Sequence, residues 1–162
     1  MSTSPRLTIL APHFWPETNA ASRRLTAAAE RFRDKGWRVT VIAPAPHHPE
    51  NQVHSGYEGG WRRVTHENGI EVVRFLPFLV PPSKLALRLL SESLFACKAF
   101  VQALFTRPDV VLASSPYMFL GPAGLLAARS RIHMRMQLRD PEVRRKVWPD
   151  YPIGCKRVLF SN

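Results

Sequence analysis

Leu7-Thr8-Ile9-Leu10-Ala11, Pro12-His13-Phe14-Trp15-Pro16-Glu17, the run from Ala20 to Lys35, and Arg38-Val39-Thr40-Val41-Ile42-Ala43 make up the stretch that decides the fold. The first five residues are a short apolar run, as expected of a strand buried on both faces of a parallel sheet. Pro12 and Pro16 interrupt it and leave no room for helix or ladder between them. Thr18 or Asn19 then offers a side-chain oxygen to the free N–H groups of a helix start. From Ala20 to Lys35 the apolar Ala21, Leu25, Ala28, Ala29 and Phe32 return at three- and four-residue steps, which predicts a helix with one buried stripe. Arg23, Arg24, Glu30, Arg31, Arg33 and Asp34 fall mostly off that stripe. Gly36 supplies a left-handed residue to end the helix, and a second strand follows.

Working outward, Pro44 to Gly60 is a long polar loop, of a length that in compact domains usually serves a function. Asn68-Gly69 stands between the strand-like runs 61–67 and 70–75, a hairpin signal because both residues accept positive φ. Leu76 to Ser83 is an apolar connection broken by prolines. Lys84 to Phe105 reads as a helix whose apolar residues (Leu85, Leu89, Leu94, Phe95, Ala99, Val101, Leu104) spread around its circumference, so it is packed on several sides or lies on a membrane surface. Asp109 to Ala113 is another buried strand, and a helix of small and apolar residues runs to about Arg129. Alternating elements of this kind predict an α/β fold with a Rossmann-like, open, mostly parallel sheet and right-handed crossovers.

The chain has 162 residues, enough for one core, and a formal charge of +11. That charge looks like a nucleic-acid footprint until it is located. Residues 1–128 carry 14 basic and 9 acidic side chains, and residues 129–162 carry 9 and 3, so the excess is concentrated at the end. No recognition helix, zinc spacing or aromatic strand pair accompanies it, and no nucleic-acid partner is expected. Cys97 and Cys155 lie far apart; Cys97 falls in an apolar helical run, which predicts a buried free thiol and a reducing, cytoplasmic setting. Met1 to Arg6 lacks the apolar core of a signal peptide, and no uncharged apolar run reaches the ~18 residues of a bilayer span.

In open α/β sheets, ligands bind beyond the carboxyl ends of the strands, where helix starts present free N–H groups. Three connections meet that condition: His13 to Asn19, Pro44 to Gly60, and Ala113 to Phe119. All should open on one edge. The individual residues also have plainer readings. His13 either caps its turn or meets a ligand. His47-His48 suggests metal, but no third ligand stands at a suitable spacing, which favours solvated loop histidines. Ser114-Ser115 lacks a G-x-S-x-G elbow and reads first as a helix cap. The first loop has no G-x-G-x-x-G, which argues against dinucleotide binding.

The series Ile9 to Glu17, Arg23-Arg24-Leu25 and Gly36-Trp37-Arg38-Val39-Thr40-Val41 resembles the start of family 4 glycosyltransferases of the GT-B fold. Pro46-His47-His48-Pro49, Gly56-Tyr57, Asn68 to Arg74, and Arg107 to Pro116 with Phe119-Leu120-Gly121 are similar to further hallmarks of the subgroup acting in bacterial exopolysaccharide, O-antigen and colanic acid assembly. The resemblance covers residues 6–128. It implies the N-terminal, acceptor-side half of such an enzyme, with a second Rossmann-like domain holding the nucleotide-sugar. The loop Pro16 to Ser22 would then approach the donor diphosphate; this chain has Thr18-Asn19-Ala20-Ala21 where the family often has glycines. Loops and resemblance together put forward His13, Glu17, Asn19, Ala20, His47, His48, Tyr57, Ser114 and Ser115 as substrate-binding, with no catalytic residue assigned and no metal.

Residues 129–162 have a different texture and are expected to pack poorly. Leu138 to Lys146 and Pro149 to Leu159 resemble an internal segment of flavin-containing (Baeyer–Villiger) monooxygenases, which implies a domain of 1–128 joined to a fragment of another enzyme. The expectation is therefore an acceptor-binding half, inactive alone and binding no cofactor of its own. Its partner would be a small or lipid-linked sugar acceptor, with Lys84 to Phe105 in peripheral contact with the inner membrane face. The alternatives are a fragment of an FAD/NADPH-dependent monooxygenase and a basic membrane-surface module.

Overall fold

A computed structural model describes residues 4–81, 84–114, 120–132 and 158–161. The elements run β1 (Arg6–Leu10), α1 (Ala20–Asp34), β2 (Arg38–Pro44), β3 (Arg62–Glu67), β4 (Ile70–Phe75), α2 (Leu85–Thr106), β5 (Val110–Ser114), α3 (Leu120–Ile132) and β6 (Val158–Ser161). They build one sheet in the order β3-β4-β2-β1-β5-β6. β1 lies parallel to both β2 and β5, and β2 is parallel to β4. The antiparallel exception is the β3–β4 hairpin, with Glu67 opposite Ile70.

Each α1 boundary has a local cause. Asn19 caps its start, the side chain accepting from the Ser22 N–H at 2.8 Å. At the other end Gly36 takes φ +81°, its N–H donates to the Arg33 carbonyl, and the Trp37 N–H reaches back to Phe32. The Trp37 ring then meets the Phe32 ring edge-on at 5.3 Å, completing a Schellman stop with its apolar clasp. The hairpin turn is likewise chemical: Asn68 and Gly69 sit at φ +50° and +76°.

The sheet is buried on both sides. Ile9, Val39, Val41 and Val72 face α1 and its Leu25 and Ala29. Leu10, Ile42, Val73 and Val111 face the opposite layer, which holds Phe95, Ala96, Ala99 and Ala103 of α2 and Ala123 and Ala127 of α3. Gly124 allows α3 to come close, since a Cβ there would lie 3.0 Å from the Ala113 Cβ and 3.5 Å from Leu10. The expected α/β class with an open, mostly parallel, Rossmann-like sheet is the observed one.

Two expectations are corrected. Cys97 is a free thiol as expected, but it is exposed rather than buried. The reason is angular: α2 turns only the stripe of Phe95, Ala96, Ala99 and Ala103 to the sheet, and Cys97 lies about 100° round from Ala96. The many-sided burial considered for that helix is absent, leaving Leu85, Leu87, Leu90, Leu94, Val101 and Phe105 exposed. Although charged residues interrupt it, α2 is by length and composition alone apolar enough to cross a membrane, with a mean hydropathy of 1.2. Of the tail expected to pack poorly, residues 133–157, with the anticipated Asp140–Lys146 helix, lie outside the described residues. β6, close to the strand read over Cys155–Phe160, pairs in parallel with β5, Val111 opposite Val158.

Candidate functional site

Because β1 and β2 run parallel, the connections that follow them leave from one edge of the sheet, the edge on which β5 also ends; the third expected connection lies outside the described residues after Ser114. The first two are locked together by one side chain. Glu17, its side chain 1% exposed, accepts the backbone N–H of His47 at 2.9 Å and of His48 at 3.1 Å on Oε1. Its Oε2 accepts His13 Nδ1–H at 2.5 Å and Asn19 Nδ2–H at 3.3 Å. Burial by itself would raise the Glu17 pKa. The His13 hydrogen bond, the His47 amide, the electrostatic attraction of the His13 ring and the His48 amide together outweigh it, and the carboxyl is lowered from 4.5 to about 2. It is therefore an anion at any neutral pH.

That anion arranges three imidazoles. The rings of His13 and His47 stack at 6.0 Å and 29°, and His48 meets His13 edge-on at 5.6 Å. His47 Nδ1 lies 2.9 Å from the Ala45 carbonyl, which can only accept, so that nitrogen carries the proton. Its Nε2 is then the atom that accepts when the ring is neutral. No three ligating side chains among the described residues converge in a way that holds a metal ion.

The histidines form one wall of a cleft of about 430 Å³. The other walls are Leu76 to Val80 and the α2 side chains Arg88, Ser91, Glu92, Leu94, Phe95 and Lys98. Ser91 donates to the Phe78 carbonyl at 2.8 Å, and Asn51 donates to the Val80 carbonyl at 3.3 Å. These bonds tie the long loop, the apolar connection and α2 into a single rim. The lining mixes hydrogen-bonding and charged groups (the histidines, Arg88, Ser91, Glu92, Lys98) with hydrocarbon and aromatic carbon (Leu76, Phe78, Leu79, Leu94, Phe95), the mixture typical of small-molecule sites.

Among the residues put forward from the sequence, the structure gathers His13, His47 and His48 at the cleft, with Glu17 buried and bonded to all three, and Asn19 bonded to Glu17. Ala20 opens α1 on the exposed surface. Tyr57 lies against Arg74 and Arg63, in a separate small cavity. Ser114 is buried at the end of β5, and Ser115 lies outside the described residues. Sequence reading missed the α2 wall. Arg88, Ser91, Glu92 and Phe95 recur at three- and four-residue steps, a spacing legible in the sequence, though only the packing of α2 shows that this face lines a cleft.

A carboxyl-edge cleft between loops that follow parallel strands is the ligand-binding layout of a Rossmann-type domain. The sequence model of one family, described as "Glycosyl transferase 4-like domain", matches residues 19–162, and the chain belongs to that family. The match continues through the basic tail as well as the sheet. Over 30 residues the chain is also 63% identical to a Baeyer-Villiger monooxygenase of Pseudomonas aeruginosa, a stretch that is 18% of this chain and 6% of that protein.

Proposed function

We propose that this domain supplies the acceptor-binding wall of an enzyme that transfers a sugar from a nucleotide-sugar to a bacterial cell-surface polysaccharide precursor. The observation that carries this reading is the cleft itself: a histidine wall together with walls that carry both apolar and polar side chains, on the edge where a Rossmann-type sheet receives ligands. A sugar offers hydroxyls to His13, His47 and His48, and a lipid tail offers hydrocarbon to Phe78, Leu79 and Leu94. A nucleotide-sugar would be held by a second unit across the cleft, so this chain alone binds acceptor without turnover. Titrating a short-chain prenyl diphosphate sugar against the tryptophan fluorescence, to which the half-exposed Trp15, two residues from His13, contributes, tests the binding step. Saturable quenching that His47→Ala weakens supports the reading. Sugar transfer by this chain alone would refute the division of labour.

The exposed apolar face of α2 supports a second element, peripheral contact with the inner membrane face near a lipid-linked acceptor. Leu85 is 67% exposed and Leu90 is 49% exposed, and Lys84 and Arg88 flank them with positive charge. A flavin-dependent monooxygenase fragment is favoured only by the 30-residue likeness. A purified protein that carries stoichiometric flavin absorbance would promote it over the transferase reading.

A further inference from the structure

A second cavity lies beside the cleft and shares Leu76 with it, on the other side of the β4 terminus. It is lined by Ala45, Tyr57, Gly59, Gly60, Arg63 and Arg74, and its volume of about 10 Å³ admits roughly one oxygen-sized group. Arg74 is 2% exposed. Its Nη2 is occupied, donating to the Trp15 carbonyl and to Glu67 at 3.2 Å, but Nε and Nη1 are buried with no acceptor among the described residues. Buried guanidinium N–H groups without acceptors are costly, so a partner that reaches them is strongly favoured.

The charge around the cavity says what kind of partner. The Arg74 guanidinium sits 5.0 Å from the Tyr57 ring centre, and Arg63 approaches the same ring at 5.8 Å. Arg63 donates to the neutral Gly56 carbonyl, and the salt bridge that this pair makes among the described residues is that of Arg74 with Glu67. One carboxylate therefore stands against two cations, and it pairs with Arg74 alone. Glu58, the residue after Tyr57, is exposed. We infer that the Tyr57–Arg63–Arg74 cavity is a subsite for one oxygen of an anionic group, a carboxylate or a phosphate carried on a small molecule. The oxygen enters against Arg74, Arg63 meets the rest of the group at the mouth, and Tyr57 holds both guanidiniums in place. Gly59 and Gly60, at φ +87° and +77°, leave backbone rather than side chain at the entrance. The inference stands apart from the transferase reading, because it holds whatever occupies the histidine cleft.

The test uses the full chain with 15N-labelled arginine, and follows the Arg Nε–H resonances during titration with sodium acetate and, separately, sodium phosphate at constant ionic strength. The expected result is a saturable shift of the Arg74 and Arg63 signals by at least one of the two salts. Arg63→Gln should weaken the response roughly tenfold, as loss of a charge-assisted contact does. Tyr57→Leu should weaken it as well, and provides a second variant should Arg63→Gln fail to fold. A response from acetate alone identifies carboxylate as the group, and one from phosphate alone identifies phosphate. A drift that never saturates, or a saturable shift unchanged in both variants, overturns the assignment.

Discussion

Glu17 does at the residue scale what no helix or strand does here: it holds two separate loops by hydrogen bonds from His13, Asn19 and two successive amides. Its ionisation must then show in stability. A carboxyl lowered from 4.5 to about 2 contributes fully above the higher value and loses that contribution as pH falls through the lower one. The contribution at neutral pH is on the order of 3 kcal/mol. Denaturant unfolding across pH 2–6 should therefore show wild type losing stability on acidification and Glu17→Gln lacking most of that slope. Equal slopes would mean that other carboxylates dominate. At pH 7 Glu17→Gln should already be destabilised by about 2 kcal/mol, since an amide presents a donor to the His13 Nδ1–H. Asn19→Ala removes a helix cap as well as a Glu17 donor and should cost about 1 kcal/mol in the same assay.

At the scale of elements, close approach and turn geometry set the tolerances. α3 meets the sheet through Gly124, so Gly124→Val puts a branched side chain where even a Cβ is 3.0 Å from Ala113. A loss of about 2 kcal/mol is expected in thermal or denaturant unfolding. In the hairpin, Gly69→Ala places a Cβ at φ +76° and 3.3 Å from the Arg33 side chain, which already donates to the Asn68 carbonyl. It should cost about 1 kcal/mol, and a neutral result would mean that the turn relaxes freely. Much of this level was legible beforehand. Gly36 and Asn68-Gly69 act through their own backbones, and Asn19 through a side-chain bond to an amide three residues on, so local chemistry alone marks them.

For the molecule as a whole, α2 presents an apolar outer face beside the cleft, and this asymmetry generates the membrane prediction. Leu85→Ser with Leu90→Ser should reduce co-sedimentation with anionic vesicles several-fold while leaving the unfolding midpoint nearly unchanged, because both side chains are exposed. Equal sedimentation of variant and wild type would remove α2 from any lipid contact.

Periodicity, turn residues and caps, all short-range properties, determined the succession of elements, the mostly parallel class of the sheet and the edge from which the loops after β1 and β2 emerge. They also marked His13, Glu17, His47 and His48, because loops that follow parallel strands must emerge together. What the tertiary structure alone decided is who meets whom across the chain. A carboxylate at 17 selects amides 30 and 31 residues away, and Arg74 reaches the Trp15 carbonyl 59 residues back. It also decided which side of α2 is covered, exposing Cys97 and turning Arg88, Ser91 and Glu92 into a cleft wall. The physical reason is that side-chain spacing sets a helix face, whereas only the sheet packed against it decides which face is buried.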